Sequence, residues 1–339
     1  MIITISGLNN TDNPAPGIPI AKSLHGSHKL IGLSYDSNEP GNYQNLFDNI
    51  YLMPYPSLGF AELKERLEYI KKKDNIDIII PNLDTELPLY IKFQNEINAM
   101  GIQVLLPTQT SFDIRNKNKL DALSNKLNIK YPKTYEVASI AQLHDVVSVE
   151  GFPLMVKGNY YKSYKAYSLD SAISSFTDIA NEWGLPILIQ RCVDGEEINL
   201  VGIADNNSEL KGAVGIKKLT TTGLGKIWMG ITIHNDQLLQ VAKDFVKLTS
   251  WQGPFELECM VNPTDIYMIE INPRFPAWVY FATDIGINLP QILVDIIANK
   301  TIKSNFEYPA NKMYVRFVDE LVTDFDNYKQ IFTKKELNR

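Results

Sequence analysis

Residues 255–274 read Phe255-Glu-Leu-Glu-Cys-Met-Val-Asn-Pro-Thr-Asp-Ile-Tyr-Met-Ile-Glu-Ile-Asn-Pro-Arg274. Two apolar runs flank Asn-Pro-Thr-Asp, a composition that predicts two strands joined by a tight turn. Each strand carries one carboxylate in a segment otherwise suited to a core, Glu258 in the first and Glu270 in the second. The two glutamates are 12 positions apart across the hairpin. We therefore expect them to face the same side of a sheet as cross-strand neighbours.

Two carboxylates placed in this way repel each other, and their burial is costly unless a cation lies between them. Magnesium suits such a pair, because it takes hard oxygen ligands and usually shares them with phosphates. Asn272 follows Glu270 by two residues on the same strand face and offers an amide oxygen. Arg274, two residues further on, would direct a cation toward the same phosphates. The structural alternative is an ordinary hairpin whose carboxylates lie in solvent.

The first hundred residues alternate strand and helix. Apolar runs predict strands at Ile2–Ser6, Leu30–Leu33, Ile76–Ile80 and Ile102–Leu106, and apolar residues recur at helical spacing from Phe60. This alternation predicts a parallel sheet with helices on both faces. The first strand-to-helix loop, residues 7–17, lacks the closely spaced glycines of a dinucleotide site, so the sequence argues against NAD binding.

From about residue 152 the pattern becomes rich in strands. Short β segments are predicted at residues 153–158, 186–193, 198–204 and 213–216. A helix follows, and its predicted inward face consists of Leu238, Val241, Phe245 and Leu248.

Bulk composition excludes several classes of protein. A net charge of −6 argues against a nucleic-acid binder. The two cysteines, Cys192 and Cys259, form neither a disulfide framework nor a zinc site. The N-terminal residues lack the features of a signal peptide, and no apolar run has the length of a membrane helix. We expect a soluble, cytoplasmic protein.

The segment Glu270-Ile-Asn-Pro-Arg274 closely resembles the Glu-x-Asn-x-Arg signature of the ATP-grasp superfamily. The resemblance implies that ATP is the cofactor and that its phosphates are bridged by Mg²⁺, with two ions expected and Mn²⁺ as an alternative. It assigns Glu258, Glu270 and Asn272 as the metal ligands. It also places Arg274 among the catalytic residues.

Further segments follow in the order that this superfamily shows. Asn118-Lys119-Leu120 resembles the Asp-Lys entry to the ATP-grasp domain, although the aspartate is Asn118 here. Phe152-Pro-Leu-Met-Val-Lys157 resembles Phe-Pro-x-Val-x-Lys. Both matches imply that Lys119 and Lys157 contact phosphate. A strand-ending lysine is otherwise usually a surface residue.

The segment Leu188-Ile-Gln-Arg-Cys-Val-Asp-Gly-Glu-Glu197 resembles the hinge that holds the nucleotide. The superfamily commonly has Glu-x-x-x-x-Gly-x-Glu, and Gln190 replaces the first glutamate here. The resemblance implies that the backbone near Arg191, Cys192 and Val193 binds adenine and that Glu197 binds ribose. Cys192 is then a hinge residue rather than a nucleophile.

Two loops complete the expected site. The superfamily often has a glycine-rich loop over the phosphates, but residues 158–167 contain one glycine and four tyrosines. This departure favours a specialised lid or a site that binds nucleotide without turnover. Residues 217–226 form a second candidate loop, in which Lys226 would stabilise an acyl phosphate; a plain basic loop is the alternative.

The resemblance covers nearly the whole chain. It implies a parallel α/β pre-ATP-grasp domain (residues 1–107), in which Ile80-Pro-Asn-Leu-Asp-Thr-Glu86 matches, and a two-subdomain α+β ATP-grasp fold (residues 108–185 and 186–339). Tyr314–Glu320 resembles a closing strand of the carbamoyl-phosphate-synthase-like and biotin-carboxylase-like branch.

The implied activity is an ATP-dependent ligase that joins a small-molecule or peptide carboxylate to an amine through an acyl phosphate. Alternatives are a bicarbonate-using carboxylase or carbamoyl-forming subunit, a non-catalytic nucleotide-binding module, and a sugar or amino-acid binding protein. A homodimer is a further expectation from the resemblance.

Overall fold

The structure is a computed structural model that describes residues 1–11, 13–158 and 162–339. The chain folds into two compact units. Unit 1 comprises Met1–Arg115, Ile198–Leu257 and Ile271–Arg339, and unit 2 comprises Asn116–Glu197 and Glu258–Glu270. The division into three domains at residues 107 and 185 remains a sequence prediction.

The described strands follow one another from the first residues to the C-terminus. In chain order they are β1 (Ile2–Ser6), β2 (Lys29–Ser34), β3 (Asn49–Leu52), β4 (Ile78–Ile80), β5 (Thr134–Val137), β6 (Leu154–Lys157), β7 (Ser163–Ala166), β8 (Ile187–Arg191), β9 (Glu196–Ala204), β10 (Leu210–Thr221), β11 (Ile227–Ile233), β12 (Gly253–Val261), β13 (Ile266–Asn272), β14 (Met313–Val315) and β15 (Glu336–Asn338).

The described α-helices lie between these strands. They are α1 (Gly17–Leu24), α2 (Phe60–Asp74), α3 (Leu87–Lys92), α4 (Gln94–Ala99), α5 (Gln109–Asp113), α6 (Leu120–Lys126), α7 (Ile140–Glu150), α8 (Leu169–Trp183), α9 (Asp236–Thr249), α10 (Val279–Asp284), α11 (Leu289–Ile297) and α12 (Phe325–Lys334). Among the described residues, no helix combines the length and apolarity needed to cross a bilayer.

Unit 1 contains the predicted parallel sheet. Its strand order is β15-β3-β2-β1-β4, in which β1 to β4 run parallel and β15 pairs antiparallel with β3. Both faces are buried: on β4, Ile78 and Ile80 pack into one hydrophobic cluster and Ile79 into another. Burial of both faces explains why these strands are continuous apolar runs in the sequence.

The prediction of a strand at Ile102–Leu106 is wrong. Only Gln103 pairs, in an isolated parallel bridge with Ile78. The run is apolar because its side chains are buried, Ile102 at 0% and Leu106 at 2% exposure. An apolar run reports burial, and burial does not require a full ladder of backbone hydrogen bonds.

Unit 2 is built on an antiparallel sheet of order β5-β8-β6-β7. Helices α7 and α8 cover this sheet, and Leu143 of α7 and Phe176 of α8 lie in its hydrophobic core. The hairpin tip of β12 and β13 belongs to the same unit. It is joined to Lys130, whose N–H donates to Ile266 O at 2.9 Å.

A six-stranded sheet has the order β13-β12-β9-β10-β11-β14, and helix α9 precedes β12. Leu238 and Phe245 are buried as predicted, but Leu248 is 48% exposed and that prediction is wrong. At 3.6 residues per turn the buried positions centre on Phe245 and Thr249, and Leu248 falls at the edge of that face. The predicted closing strand is confirmed only at its start, because β14 ends at Val315.

Candidate functional site

Lys157 ends β6 and is held by the neighbouring strand. Its ammonium Nζ donates to Gln190 Oε1 at 2.7 Å. Gln190 is 2% exposed on β8, and its Nε2 donates in turn to Thr134 Oγ1 on β5 at 2.8 Å. The three side chains form a row across adjacent strands. The Gln190 amide therefore fixes the position of the lysine.

The surroundings of Lys157 contain several of the sequence-predicted site residues. Burial is the largest influence on its pKa and lowers it, as does the charge of Lys117; the charges of Glu270, Glu258 and Glu197 oppose this, and the resulting pKa is about 8. All of these residues belong to unit 2. The predicted phosphate-binding lysine, two predicted metal ligands and the predicted ribose-binding acid thus share one electrostatic environment.

Sequence reasoning missed Lys117. It lies on the 3-10 turn Lys117–Lys119, and its Nζ donates to Gly158 O at 2.8 Å. Lys119 is exposed on the same turn, and its contact with phosphate remains a prediction. The resemblance to an Asp-Lys motif singled out Lys119 on this turn, whereas the lysine whose charge acts on Lys157 is Lys117.

The predicted hinge joins β8 to β9. Arg191 is exposed, and its backbone N–H donates to Lys133 O at 2.9 Å. Cys192 and Val193 are half-buried, as is Glu197 at the start of β9. Burial raises the pKa of the Cys192 thiol, which is opposite to the change that a nucleophilic cysteine requires. The adenine and ribose contacts themselves remain predictions.

Arg274 is held by a carboxylate from the first hundred residues. Its Nε and Nη2 donate to Asp84 Oδ2 at 3.2 and 3.0 Å, and its Nη1 donates to Phe275 O at 3.2 Å. The arginine side chain is 12% exposed and that of Asp84 is 24% exposed. Asp84 belongs to the segment Ile80–Glu86 that the sequence singled out. Its structural role is to hold the Arg274 guanidinium.

Asp84 also lies close to two more cations of unit 1. Burial would raise the pKa of Asp84, but the charges of Arg274, Arg115 and Lys226, with the Arg274 hydrogen bonds, lower it below its ordinary value. The carboxylate is therefore ionised at neutral pH. Within the described part of the chain, Asp84 Oδ1 and Arg115 Nε are buried without a hydrogen-bond partner. Lys226 is half-buried, and its catalytic role remains a prediction.

Asn272 is held by a second carboxylate, Glu256. The Asn272 side chain donates from Nδ2 to Glu256 Oε2 at 2.9 Å, and the residue is 9% exposed. Sequence reasoning chose Glu258 on β12 and passed over Glu256. Because side chains alternate along a strand, the residues that flank Leu257 share its strand but not its face. The two glutamates were visible in Phe255-Glu-Leu-Glu258, but nothing local indicated a partner for the inner one.

The oxygen donors suit magnesium. Glu258 and Glu270 supply carboxylates of the kind that Mg²⁺ binds, and Asn272 supplies an amide. No group of three or more His, Cys, Asp or Glu side chains with metal-binding geometry occurs among the described residues. Two acids suffice for an ion that also takes oxygens from phosphate, so the donor set fits a metal that arrives with a nucleotide.

The predicted tyrosine-rich loop, residues 158–167, is not a loop throughout: residues 159–161 lie outside the described residues, and Ser163–Ala166 forms strand β7, which pairs with β6. Lys162, one of its basic residues, pairs with Asp178 at 3.2 Å and with Glu182 at 2.5 Å. Both acids belong to helix α8. Lys162 therefore already neutralises two surface carboxylates, and a phosphate contact from it remains a prediction.

The fold is that of the ATP-grasp proteins, and the expected resemblance is confirmed. The chain is 22% identical over 301 residues to the carbamoyl phosphate synthase large chain of Clostridium acetobutylicum, a match that covers 83% of this chain and 27% of that protein. The chain thus spans about a quarter of the length of this curated relative. No protein-family model matches the sequence.

Solved structures agree with this fold. N5-carboxyaminoimidazole synthetase from Staphylococcus aureus superimposes with a TM-score of 0.67 at 12% identity, covering 89% of this chain and 78% of that one. L-amino acid ligase from Bacillus licheniformis gives 0.62 at 16% identity, covering 87% and 74%. The biotin carboxylase domain of Hydrogenobacter thermophilus 2-oxoglutarate carboxylase, a dimer with MgADP and bicarbonate, gives 0.64 at 10% identity, covering 92% and 72%.

Proposed function

We propose that this chain is an ATP-dependent carboxylate–amine ligase that forms an acyl phosphate and releases ADP and phosphate. The observation that carries the proposal is the environment of Lys157, where the charges of Glu258, Glu270 and Glu197 act on one half-buried lysine that Gln190 holds. Carboxylates for a metal beside a lysine for phosphate are the parts that phosphoryl transfer requires. The relation to ligases by sequence and fold supports the same conclusion.

The proposed cofactors are ATP and Mg²⁺. Glu258, Glu270 and Asn272 would hold the metal, with two ions expected and Mn²⁺ as a substitute. Magnesium would neutralise charge on the phosphates and so ease attack on phosphorus. The MgADP bound to a biotin carboxylase domain of the same fold supports this choice.

The other residues of the proposal act on the nucleotide and the acyl phosphate. Lys157 and Lys119 neutralise phosphate oxygens, and Gln190 keeps the Lys157 ammonium in place. The backbone of residues 191–193 holds adenine and Glu197 holds the ribose hydroxyls. Arg274, fixed by Asp84, and Lys226 stabilise the charge that develops on the acyl phosphate.

The substrates that we propose are a small-molecule or peptide carboxylate and an amine. We also propose that the protein forms a homodimer, which the dimer of one structural neighbour supports. A cytoplasmic location is part of the same expectation.

The first experiment measures ADP and phosphate release with ATP and Mg²⁺ against pools of amino acids and small carboxylates. Release that requires both a carboxylate and an amine supports the ligase. Glu270→Ala should abolish turnover, by roughly 100-fold or more for a metal ligand, and leave the thermal unfolding curve unchanged. The matched control is Glu136→Ala, which removes an exposed carboxylate from β5 of the same unit. Full activity in Glu270→Ala would exclude the metal assignment.

The second candidate function is a bicarbonate-using carboxylase or carbamoyl-forming subunit. It is favoured by the sequence relation to the carbamoyl phosphate synthase large chain. The same assay run with and without bicarbonate separates the two, because ADP release stimulated by bicarbonate alone would favour this candidate. Nucleotide binding without release under any condition would instead indicate a non-catalytic binding module.

A further inference from the structure

Glu256 is a buried carboxylate of unit 1 that has no assigned role in the proposed reaction. It is 3% exposed on β12. Its Oε1 accepts hydrogen bonds from Asn199 Nδ2 at 2.7 Å and from Trp278 Nε1 at 2.8 Å, and its Oε2 accepts from Asn272 Nδ2 at 2.9 Å. A buried charge is costly, and an apolar residue would fill the same space at lower cost. The arrangement therefore calls for a reason beyond packing.

The reason lies in the chemistry of the Asn272 amide. An amide has a donor NH₂ on one side and an acceptor oxygen on the other, and either side can face a neighbour. An ionised carboxylate only accepts. With Glu256 accepting from Nδ2, the oxygen Oδ1 is directed to the opposite side of the amide.

We propose that Glu256 is the positioning residue that turns the oxygen of Asn272, rather than its NH₂, toward a magnesium ion. This inference rests on the proposed function. Asn199 and Trp278 hold the carboxylate in turn, so its orientation is set by three elements: β9, β13 and the segment before α10. Mutation of a group that orients a metal ligand in this way typically lowers metal affinity by roughly 10- to 100-fold.

The test replaces the carboxylate by the amide of the same shape. In Glu256→Gln, the new oxygen satisfies Asn199 and Trp278, and the new NH₂ faces Asn272. Two donors then oppose each other, so the Asn272 amide turns over and presents its NH₂ to the metal. The half-saturating Mg²⁺ concentration for ADP binding, measured by calorimetry, should rise by roughly 10- to 100-fold.

A double variant distinguishes orientation from simple loss of structure. In Glu256→Gln with Asn272→Asp, the Gln NH₂ donates to an oxygen of the new aspartate, whose other oxygen is available to the metal. The half-saturating Mg²⁺ should return most of the way to the wild-type value. A double variant as impaired as Glu256→Gln would overturn the inference.

Two further variants complete the experiment. Glu86→Gln removes another fully buried carboxylate of unit 1, one that Ser6, Tyr35 and two backbone N–H groups satisfy. It should lower thermal stability and leave the Mg²⁺ dependence unchanged; an equal effect of Glu86→Gln and Glu256→Gln on Mg²⁺ would count against positioning. Asn272→Ala tests the ligand itself.

The outcomes separate this inference from the proposed function. If Glu270→Ala and Asn272→Ala both raise the half-saturating Mg²⁺ and Glu256→Gln does not, the proposed function stands and the inference fails. If the wild-type chain binds ADP without dependence on Mg²⁺, the metal site of the proposed function fails and the inference fails with it.

Discussion

At the scale of single residues, three of the functional candidates are each held by another side chain. Gln190 holds Lys157, Asp84 holds Arg274 and Glu256 holds Asn272. The holding residues come from other strands or from the first hundred residues. Fixed polar groups lose little by reorganisation when charge moves, which is the main requirement for phosphoryl transfer.

The pKa of Lys157 gives a pH prediction. The lysine is charged below about pH 8 and loses its proton above it, so nucleotide binding should weaken as pH rises through 8. At one pH unit above its pKa the fall is about 10-fold. Lys157→Arg keeps its charge throughout and should show no fall. Binding of labelled ADP between pH 6.5 and 9.5 tests this, and a wild-type curve as flat as that of the arginine variant would contradict it.

The lowered pKa of Lys157 also affects the stability of the fold, and this effect increases with pH whereas nucleotide binding weakens. The pKa of Lys157 lies below that of an unfolded lysine, so the folded chain releases this proton first. Its contribution to the free energy of unfolding therefore rises with pH between about 8 and 10.4.

The Arg274–Asp84 pair predicts a selective catalytic defect. Asp84→Asn removes the charge that accepts from Arg274 Nε and Nη2 and holds the guanidinium in place. We expect ADP release to fall by at least 10-fold while ADP affinity changes little. Steady-state kinetics and calorimetry on the same sample measure the two. Asp284→Asn, at an exposed position on α10, is the control, and equal losses in both variants would argue against the pair.

At the scale of elements, the hinge depends on one close backbone approach. A Cβ added to Gly195 would lie 2.7 Å from Val261 O, and both residues belong to unit 2. Gly195→Ala should therefore lower stability by about 1–3 kcal/mol through overpacking. Gly223→Ala is the control, because a Cβ there meets no atom within 4 Å. Thermal unfolding of both variants checks the difference, and equal melting temperatures would refute it.

Elements with a strong local pattern were predictable, and those defined by distant partners were not. The hairpin of β12 and β13, helix α2 and the parallel strands β1, β2 and β4 follow from apolar runs and turn residues, whereas the parallel strand β3 (Asn49–Leu52) was not predicted. The segment Ile102–Leu106 has a similar run but pairs only at Gln103. Lys117 and Glu256 were not predicted because their hydrogen-bond partners are distant in sequence or on another strand.

At the scale of the whole molecule, the last segment of the chain belongs to the same unit as the first residues. Unit 1 contains both the first 115 residues and the last segment from Ile271. β15 is the edge strand of the sheet that β1 begins, and Leu337 is 1% exposed in the core. The C-terminal strand was not predicted from sequence, because a run of three residues carries no periodic signal.

Removal of residues 335–339 should therefore destabilise unit 1. The deletion loses three paired positions between β15 and β3, the burial of Leu337, and hydrogen bonds from Arg66 Nη2 to Lys335 O and from Arg339 to the loop before β3. The leucine alone contributes about 1.5–3 kcal/mol and each hydrogen bond about 1 kcal/mol. The leucine and the three arginine hydrogen bonds together predict a loss of at least roughly 4–6 kcal/mol.

Chemical denaturation of the truncated and full chains measures this loss. Glu336→Gln is the control, since it keeps the strand and removes only the charge of a side chain that pairs with the partly exposed Lys73 at 2.6 Å and accepts from Tyr69 and Asn338. A partly exposed ion pair is worth about 1 kcal/mol or less. If truncation costs no more than this substitution, β15 is a peripheral addition. If the full loss appears, the sheet edge depends on the last residues of the chain, and an exposed β3 becomes a site for pairing with other molecules.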